Sequence, residues 1–246
     1  MRILTWNIAC LPKKINIFRN PHKVIFDIVE KILNYNPNII CLQEVFDFKI
    51  QQNIIDTLTY NNYNVHVSYS ENIISKNGLL TACKGNILDK NTLDYSNFTG
   101  PEYLIKKGLL STKINENDKD IYVHNTHLQS DSIGFYNNLC FLNRTRQHLE
   151  IVNFFKNTYT LEQLNDLHIL CGDINDDFTC TQLKLFFSDL PFKNKFYNEE
   201  KIVTFDKYNQ QLDYILINQD YEKKYFVENG LKNNLSDHNI LLCDIY

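Results

Sequence analysis

Short runs of Ile, Val and Leu recur along this chain, each ending in a polar residue and separated from the next by a segment of helical period. Runs that short build strands, and the longer 3.6-period segments between them build helices. Strands are predicted at residues 2 to 8, 38 to 43, 63 to 68, 167 to 171, 212 to 217 and 239 to 245. Asn20-Pro21 supplies an N-cap and a first-turn proline for a helix whose Val24, Ile25, Ile28, Val29, Ile32 and Leu33 share one face. Phe46, Ile50, Ile54 and Leu58 mark a second helix, residues 139 to 155 a third, and residues 180 to 190 a fourth behind a Thr179 cap. From 78 to 126 the pattern changes to strands at 78–84, 103–115 and 120–126 joined by turns. Helices enter between strands in both halves, and the middle is a β meander. That order predicts an α/β architecture of two packed sheets with helices outside, rather than one doubly wound sheet. With seven Gly and five Pro there is no linker composition, so one domain over 1–246 is expected.

Several function classes lose their equipment. A formal charge of −4 gives no global basic surface for nonspecific nucleic-acid binding. No run of 18 apolar residues is present to span a membrane, and Met1-Arg2-Ile3-Leu4-Thr5-Trp6 opens as a strand, not as a signal peptide. The seven Cys lie mostly inside apolar runs without CxxC spacing, which predicts reduced, buried thiols and a cytoplasmic or other reducing compartment. There is no GxxxxGK[ST] loop, GxGxxG turn, GxSxG elbow or HExxH pair.

The informative residues are acids, amides and imidazoles at the ends of apolar strands, where backbone rigidity can hold a side chain in a cleft. Glu44 follows a buried strand directly. Asn7 stands at the end of the first, although with 33 Asn in the chain a single Asn says little. His127 closes the strand at 120–126, with His124 its rival. Asp173 and Asn175 follow Gly172 at i, i+2 spacing; they suit either a site or an Asx turn capping the next helix. Asp237 and His238 stand in sequence at the head of a strand, where alternation is expected to send neighbours to opposite faces, which makes Asp237 a poor partner for the imidazole. Asp213, an acid inside an apolar run, needs a partner and is the natural one for His238. Oxygen-rich donors without a cysteine or histidine zinc pattern imply a hard divalent cation. The remaining chemistry is metal-assisted hydrolysis of a phosphate ester by activated water.

In order, Thr5-Trp6-Asn7-Ile8, Leu42-Gln43-Glu44-Val45, Asn125-Thr126-His127-Leu128, Gly172-Asp173-Ile174-Asn175, Leu212-Asp213-Tyr214-Ile215 and Ser236-Asp237-His238 resemble the motifs of the endonuclease/exonuclease/phosphatase superfamily. This superfamily includes deoxyribonuclease I, abasic-site endonucleases and neutral sphingomyelinases. The resemblance covers nearly the whole chain and implies the four-layer α/β sandwich of deoxyribonuclease I-like proteins. It is nearest the neutral sphingomyelinase branch through Leu42 to Asp47, Lys107 to Ile114, Asn125 to Ser130 and Arg144 to Gln147.

The resemblance implies that Glu44 holds Mg²⁺, with Mn²⁺ a substitute, beside Asn7, and that Asp237 serves a second metal or the structure. His238, oriented by Asp213, takes the proton of the attacking water. His127, Asp173 and Asn175 surround the phosphorus. Lys107 and Arg144, from the branch motifs, are expected at the substrate, as is Tyr95 in a wall formed by residues 91 to 102. Glu102 is the candidate for the acid that pairs with His127 in deoxyribonuclease-like members.

Three functional readings follow, all for a monomer. The first is a sphingomyelinase-like phospholipid phosphodiesterase. Ile133-Gly134-Phe135-Tyr136, Leu139, Phe141 and Leu142 would then make peripheral contact with a membrane, unless Leu139 and Leu142 are the buried face of their helix. The second is a nuclease or DNA-repair phosphodiesterase, for which Lys13, Lys14, Arg19, His22 and Lys23 form a basic cluster. The third is an inactive binding protein of the same fold, which the filled ligand positions oppose.

Overall fold

The computed structural model describes residues 1–11, 20–68, 77–103, 105–116, 118–131, 137–192, 200–230 and 234–246. Among these, eleven strands form two sheets. The first contains β1 (Arg2–Cys10), β2 (Ile39–Val45), β3 (Asn64–Val67), β4 (Leu80–Cys83), β10 (Lys223–Glu228) and β11 (Ile240–Ile245), in the order β10-β11-β1-β2-β4-β3. The second runs in chain order through β5 (Asn86–Asp94), β6 (Gly108–Glu116), β7 (Lys119–His127), β8 (Leu167–Asp173) and β9 (Asp213–Ile217). Both sheets are mixed: β1 pairs with β2 and β7 with β8 in parallel, and the other pairs are antiparallel.

Each parallel pair is bridged by a helix, α1 (Pro21–Asn34) in the first sheet and α3 (Asn137–Thr158) in the second, because parallel strands need a long crossover. Two further helices, α2 (Phe48–Tyr60) and α4 (Thr181–Asp189), complete the outer layers. The core divides accordingly. Trp6, Ile8 and Leu42 pack with Ile25, Ile28, Ile50 and Ile54 of α1 and α2. Leu109, Leu170 and Tyr214 pack with Ile151, Phe155, Leu183 and Phe186 of α3 and α4. Ile3, Ile39, Cys41, Val123, Ile169, Cys171 and Ile215 lie between the sheets. This is the four-layer α/β sandwich that the motif order implied.

Local signals account for most boundaries. The Asn20 side chain accepts from His22 N at 3.2 Å and Pro21 opens α1; Asp47 accepts from Lys49 N and Ile50 N to open α2. Thr179 is not the cap of α4. Its hydroxyl donates to Asp177 instead, and Cys180 occupies the cap position without a side-chain bond. Strands β5 and β10 have no counterpart in the sequence expectation. They are edge strands with largely exposed side chains, so they lack the apolar alternation that marks a half-buried strand. The second predicted strand of the meander begins at Gly108, not at 103, where Gly100–Tyr103 forms a short 3-10 turn.

Candidate active site

The topology explains why strand ends and strand beginnings both carry site residues. Parallel strands β1, β2, β7 and β8 finish at one rim of the sandwich, delivering Asn7, Glu44, His127 and Asp173. The antiparallel neighbours β9 and β11 start at that same rim, and bring Asp213, opposite Asp173 in the register, and His238 just ahead of Ile240. Two sheets thus meet in one cluster.

Alternation selects which side chains enter it. His127 and Asn125 face the gap between the sheets, whereas His124 faces the α3 layer, bonded to His168 and packed on Phe155. Of the two, His127 is the one whose ring faces the cluster. For Glu44 alternation alone would point the other way, toward the helices with Leu42. The residue instead adopts a left-handed φ of 59°, opposite a register shift between Asn7 and Cys10 in which Ala9 also has a positive φ of 47°. Asn175 is a third, at 57°. Non-glycine residues rarely occupy this region, and here they turn the chain where side chains must be re-aimed.

The Asn7 carboxamide is the hub. Its Nδ2 donates to Glu44 Oε1 and to Asp173 Oδ2, both at 3.0 Å, while its Oδ1 accepts from Ala9 N. His127 Nε2 lies 3.4 Å from Asp173 Oδ2 and 4.0 Å from Glu44 Oε1. His238 Nδ1 lies 2.8 Å from Asp213 Oδ2, and its Nε2 lies 3.7 Å from Asp173 Oδ2. Asp173 makes two kinds of contact: Oδ1 closes an Asx turn with Asn175 N at 3.0 Å, which lies ahead of α4 and does not cap it, and Oδ2 faces the cluster. Asn175 Nδ2 donates to Leu128 O, tying the loops that follow β7 and β8. Asp237 is exposed and His238 buried, but on a bend ahead of β11 and not on the strand where alternation would act, and the Asp237 charge reaches both Glu44 and His238.

Electrostatics separate the groups. Burial drives His127 well below the ordinary imidazole value, so it is neutral, helped by the nearby Lys107 charge. Burial opposes a charged His238 too, but the Asp213 and Asp173 carboxylates outweigh it and lift the imidazole to about 10. Burial raises the carboxyls of Glu44 and Asp173, against the opposing pull of Asn7 and Lys107.

Asp173, Asp213 and His238 present ligand atoms within 4.8 Å of one another. Asp213 and His238 are already bonded to each other through Oδ2 and Nδ1, which suits that trio to proton transfer. Glu44 and Asp173, acids disfavoured in their charged forms and held by one amide, are the pair a hard cation would complete. Glu44, with 23% of its side chain exposed, is the accessible one. The donor set therefore fits a divalent ion.

Other expected site residues are built into the scaffold. Lys107 is 1% exposed, with Nζ bonded at 2.7 Å to Glu102 Oε1 and to Leu128 O. Glu102, bound to Lys107 and Ser130, is not the partner of His127; the carboxylates nearest that ring are Asp173 and Glu44. Arg144 is 4% exposed, paired with Asp176 and Asp131 and donating to Gln129 O. Tyr95 lies in the core with its hydroxyl against Thr126, not in an open wall. Sequence reading misses Phe205, whose ring sits 4.9 Å from that of His238. It stands in a polar stretch without periodicity, so nothing local marks it.

A two-sheet sandwich with amides, carboxylates and imidazoles gathered at one rim is the architecture of a phosphoester hydrolase. Residues 4–238 match the Endonuclease/Exonuclease/phosphatase family, and the chain belongs to it as a phosphodiesterase hydrolase. Sphingomyelinase C of Bacillus cereus is 26% identical over 228 residues, covering 79% of this chain and 68% of the relative. Beta toxin from Staphylococcus aureus superposes with a TM-score of 0.82 at 19% identity over 99% of each chain, and a double mutant of that toxin with bound magnesium ions superposes at 0.79, with the same identity and 98% of each chain covered. Truncated Caenorhabditis elegans TDP2 superposes at 0.74 with 16% identity, covering 100% of this chain and 96% of the other.

Proposed function

We propose that this chain is a Mg²⁺-dependent phosphodiesterase acting on phospholipids of the sphingomyelin type, with Mn²⁺ able to substitute. The convergence of Asn7, Glu44, His127, Asp173, Asp213 and His238, each with a polar atom within 4.0 Å of another member, carries the reading. Glu44, with Asn7 beside it and Asp237 at the rim, holds the cation. When bound, the ion supplies a Lewis acid for the phosphoryl oxygen and offsets the charge that develops there.

The residues divide the remaining work. Asp213 fixes the ring of His238 through Nδ1, leaving Nε2 to take the proton of the attacking water. Such general-base assistance is worth about 10² to 10⁴ in rate. His127, kept neutral, and Asn175 flank the phosphoryl group as hydrogen-bond partners, with Asp173 setting the orientation of His127. Lys107 acts through space: its buried charge favours the ionised forms of Glu44 and Asp173.

Similarity to sphingomyelinase C supports the lipid substrate. So does the start of α3. Leu139, Phe141 and Leu142 are 47%, 43% and 41% exposed and are not the buried face of the helix. They form an apolar surface on the segment that follows His127, suited to peripheral contact with a bilayer. Ile133, Gly134, Phe135 and Tyr136 lie outside the described residues, as do Lys13, Lys14 and Arg19 of the basic cluster. No helix among the described residues is long and apolar enough to cross a membrane. Membership of the Endonuclease/Exonuclease/phosphatase family keeps a nuclease or DNA-repair phosphodiesterase as the second reading.

The test is a substrate panel of sphingomyelin, lysophospholipid, abasic DNA, plasmid and a generic phosphodiester dye, each with Mg²⁺ and with His238→Ala as control. Turnover of lipid lost in the variant is expected. Turnover of DNA alone would replace this reading with the second, and no turnover of any substrate would leave an inactive binding protein.

A further inference from the structure

We propose that the Asn125–Gln43 amide pair is a positioning device that fixes Glu44 against His127, an inference that rests on the metal-assisted reading above. Asn125 comes from β7 of the second sheet and is fully buried. Its Oδ1 accepts from Gln43 Nε2 at 2.8 Å, and its Nδ2 donates to Leu42 O at 3.1 Å and Leu80 O at 2.9 Å. One carboxamide thus crosses the gap between the sheets and holds three groups of the other sheet.

The place it grips is specific. Leu42 and Leu80 are the last register pair of β2 and β4. Beyond them Val45 N turns to Gly78 O, and Glu44 adopts its left-handed conformation. The clamp therefore sits where β2 leaves its ladder and swings Glu44 into the cluster. Gln43 immediately precedes Glu44; Asn125 precedes His127 by two residues on the same face of β7. Glu44 Oε1 and His127 Nε2, which enter from different sheets, lie 4.0 Å apart.

Holding the sheets together does not require this pair. The core cluster between them is built of Ile, Leu, Val and Cys among the described residues. Buried amides are costlier than hydrocarbon of similar volume, and Gln43 Oε1 has no hydrogen-bond partner. What hydrogen bonds add is direction, which apolar contacts cannot supply.

An apolar replacement of both partners separates the two roles. Gln43→Leu and Asn125→Leu singly strand a buried polar partner and should each lower Tm by roughly 5 °C. The double variant leaves neither amide stranded by the other and should recover part of that loss, though Leu42 O and Leu80 O still lose the Asn125 donor. Its Mg²⁺ dissociation constant, measured by calorimetry without substrate, should nonetheless rise about tenfold, and kcat on the phosphodiester dye should fall about tenfold with little change in KM. Asn125→Ser, measured well below its own Tm, should show the same loss of Mg²⁺ affinity if the double variant does not fold. Recovery of Mg²⁺ affinity and kcat together with Tm, or unchanged Mg²⁺ affinity in Asn125→Ser, would reduce the pair to a structural tie and overturn the inference. Absence of Mg²⁺ binding by the parent protein would count instead against the proposed function, and would remove this inference with it.

Discussion

His238 Nδ1 and Asp213 Oδ2 are 2.8 Å apart although the two residues enter from different sheets. The bond fixes which ring nitrogen faces the cluster, and that makes Asp213 the orienting group. Asp213→Asn should lower kcat by about 10² to 10⁴ while KM stays within a few-fold, as expected when an interaction made in the transition state is lost. Steady-state kinetics on the phosphodiester dye checks this; a variant with normal kcat would remove Asp213 from the mechanism.

The same pair sets a pH dependence in the metal-free protein. Because folded His238 titrates near 10, above the ordinary 6.5, its contribution to stability is complete below about pH 6.5 and is lost as pH rises toward 10. A cation at Glu44 and Asp173 should repel the imidazolium and bring His238 down toward neutrality, in the form a base needs. Imidazole NMR titration with and without Mg²⁺ reads the shift directly, and an unchanged titration would separate the metal from His238.

Glu44→Gln should abolish the rise in Tm that Mg²⁺ produces in the parent protein. Without Mg²⁺ the variant should melt at the same temperature or slightly higher, since burial already disfavours the Glu44 carboxylate and a Gln oxygen can still accept from Asn7. Thermal melts with and without Mg²⁺ decide it; a retained metal-induced shift would place the ion elsewhere.

On the opposite face of β7, His124 and His168 form a neutral chain. His168 Nε2 lies 2.9 Å from Gln163 O and so carries the proton, leaving Nδ1 to accept from His124 Nε2 at 3.0 Å. Burial depresses His168 from 6.5 to about 4. A depressed histidine favours the fold above pH 6.5 and counts increasingly against it as pH falls toward 4. Between pH 7 and pH 5 the share of the loss that belongs to His168 should be about 2 kcal/mol, added to those of His66, His124, His127 and His148, which burial also depresses. Urea unfolding across that range tests this, with His168→Gln expected to flatten the slope.

Gly172→Ala should cost stability and activity together. Gly172 has φ 134°, and an added Cβ would lie 1.9 Å from the backbone oxygen of Thr126. β8 would have to move away from β7, taking Asp173 from His127. A loss of more than about 3 kcal/mol by denaturant unfolding is expected; a variant with parental stability would show that the strands have slack at this level.

What the sequence determined by itself is local. Apolar runs and helical periods fixed the helices and most strands, because burial on one face imposes a period that a short window reveals. The need of a buried acid for a partner was enough to match Asp213 with His238, whereas the exposure of Asp237 comes from a bend ahead of β11 and not from the strand alternation expected there. The tertiary structure alone decided the rest. Edge strands β5 and β10 carry no period because little of their surface is buried. Lys107, Arg144 and Tyr95 have the chemistry of ligand contacts but are scaffold, since Glu102, Asp176 and Thr126 reach them through the fold. The turn of Glu44 into the cluster and the Asn125 clamp beneath it depend on contacts between sheets, and hydrogen bonds that span 37 to 166 residues leave no mark in any local stretch of chain.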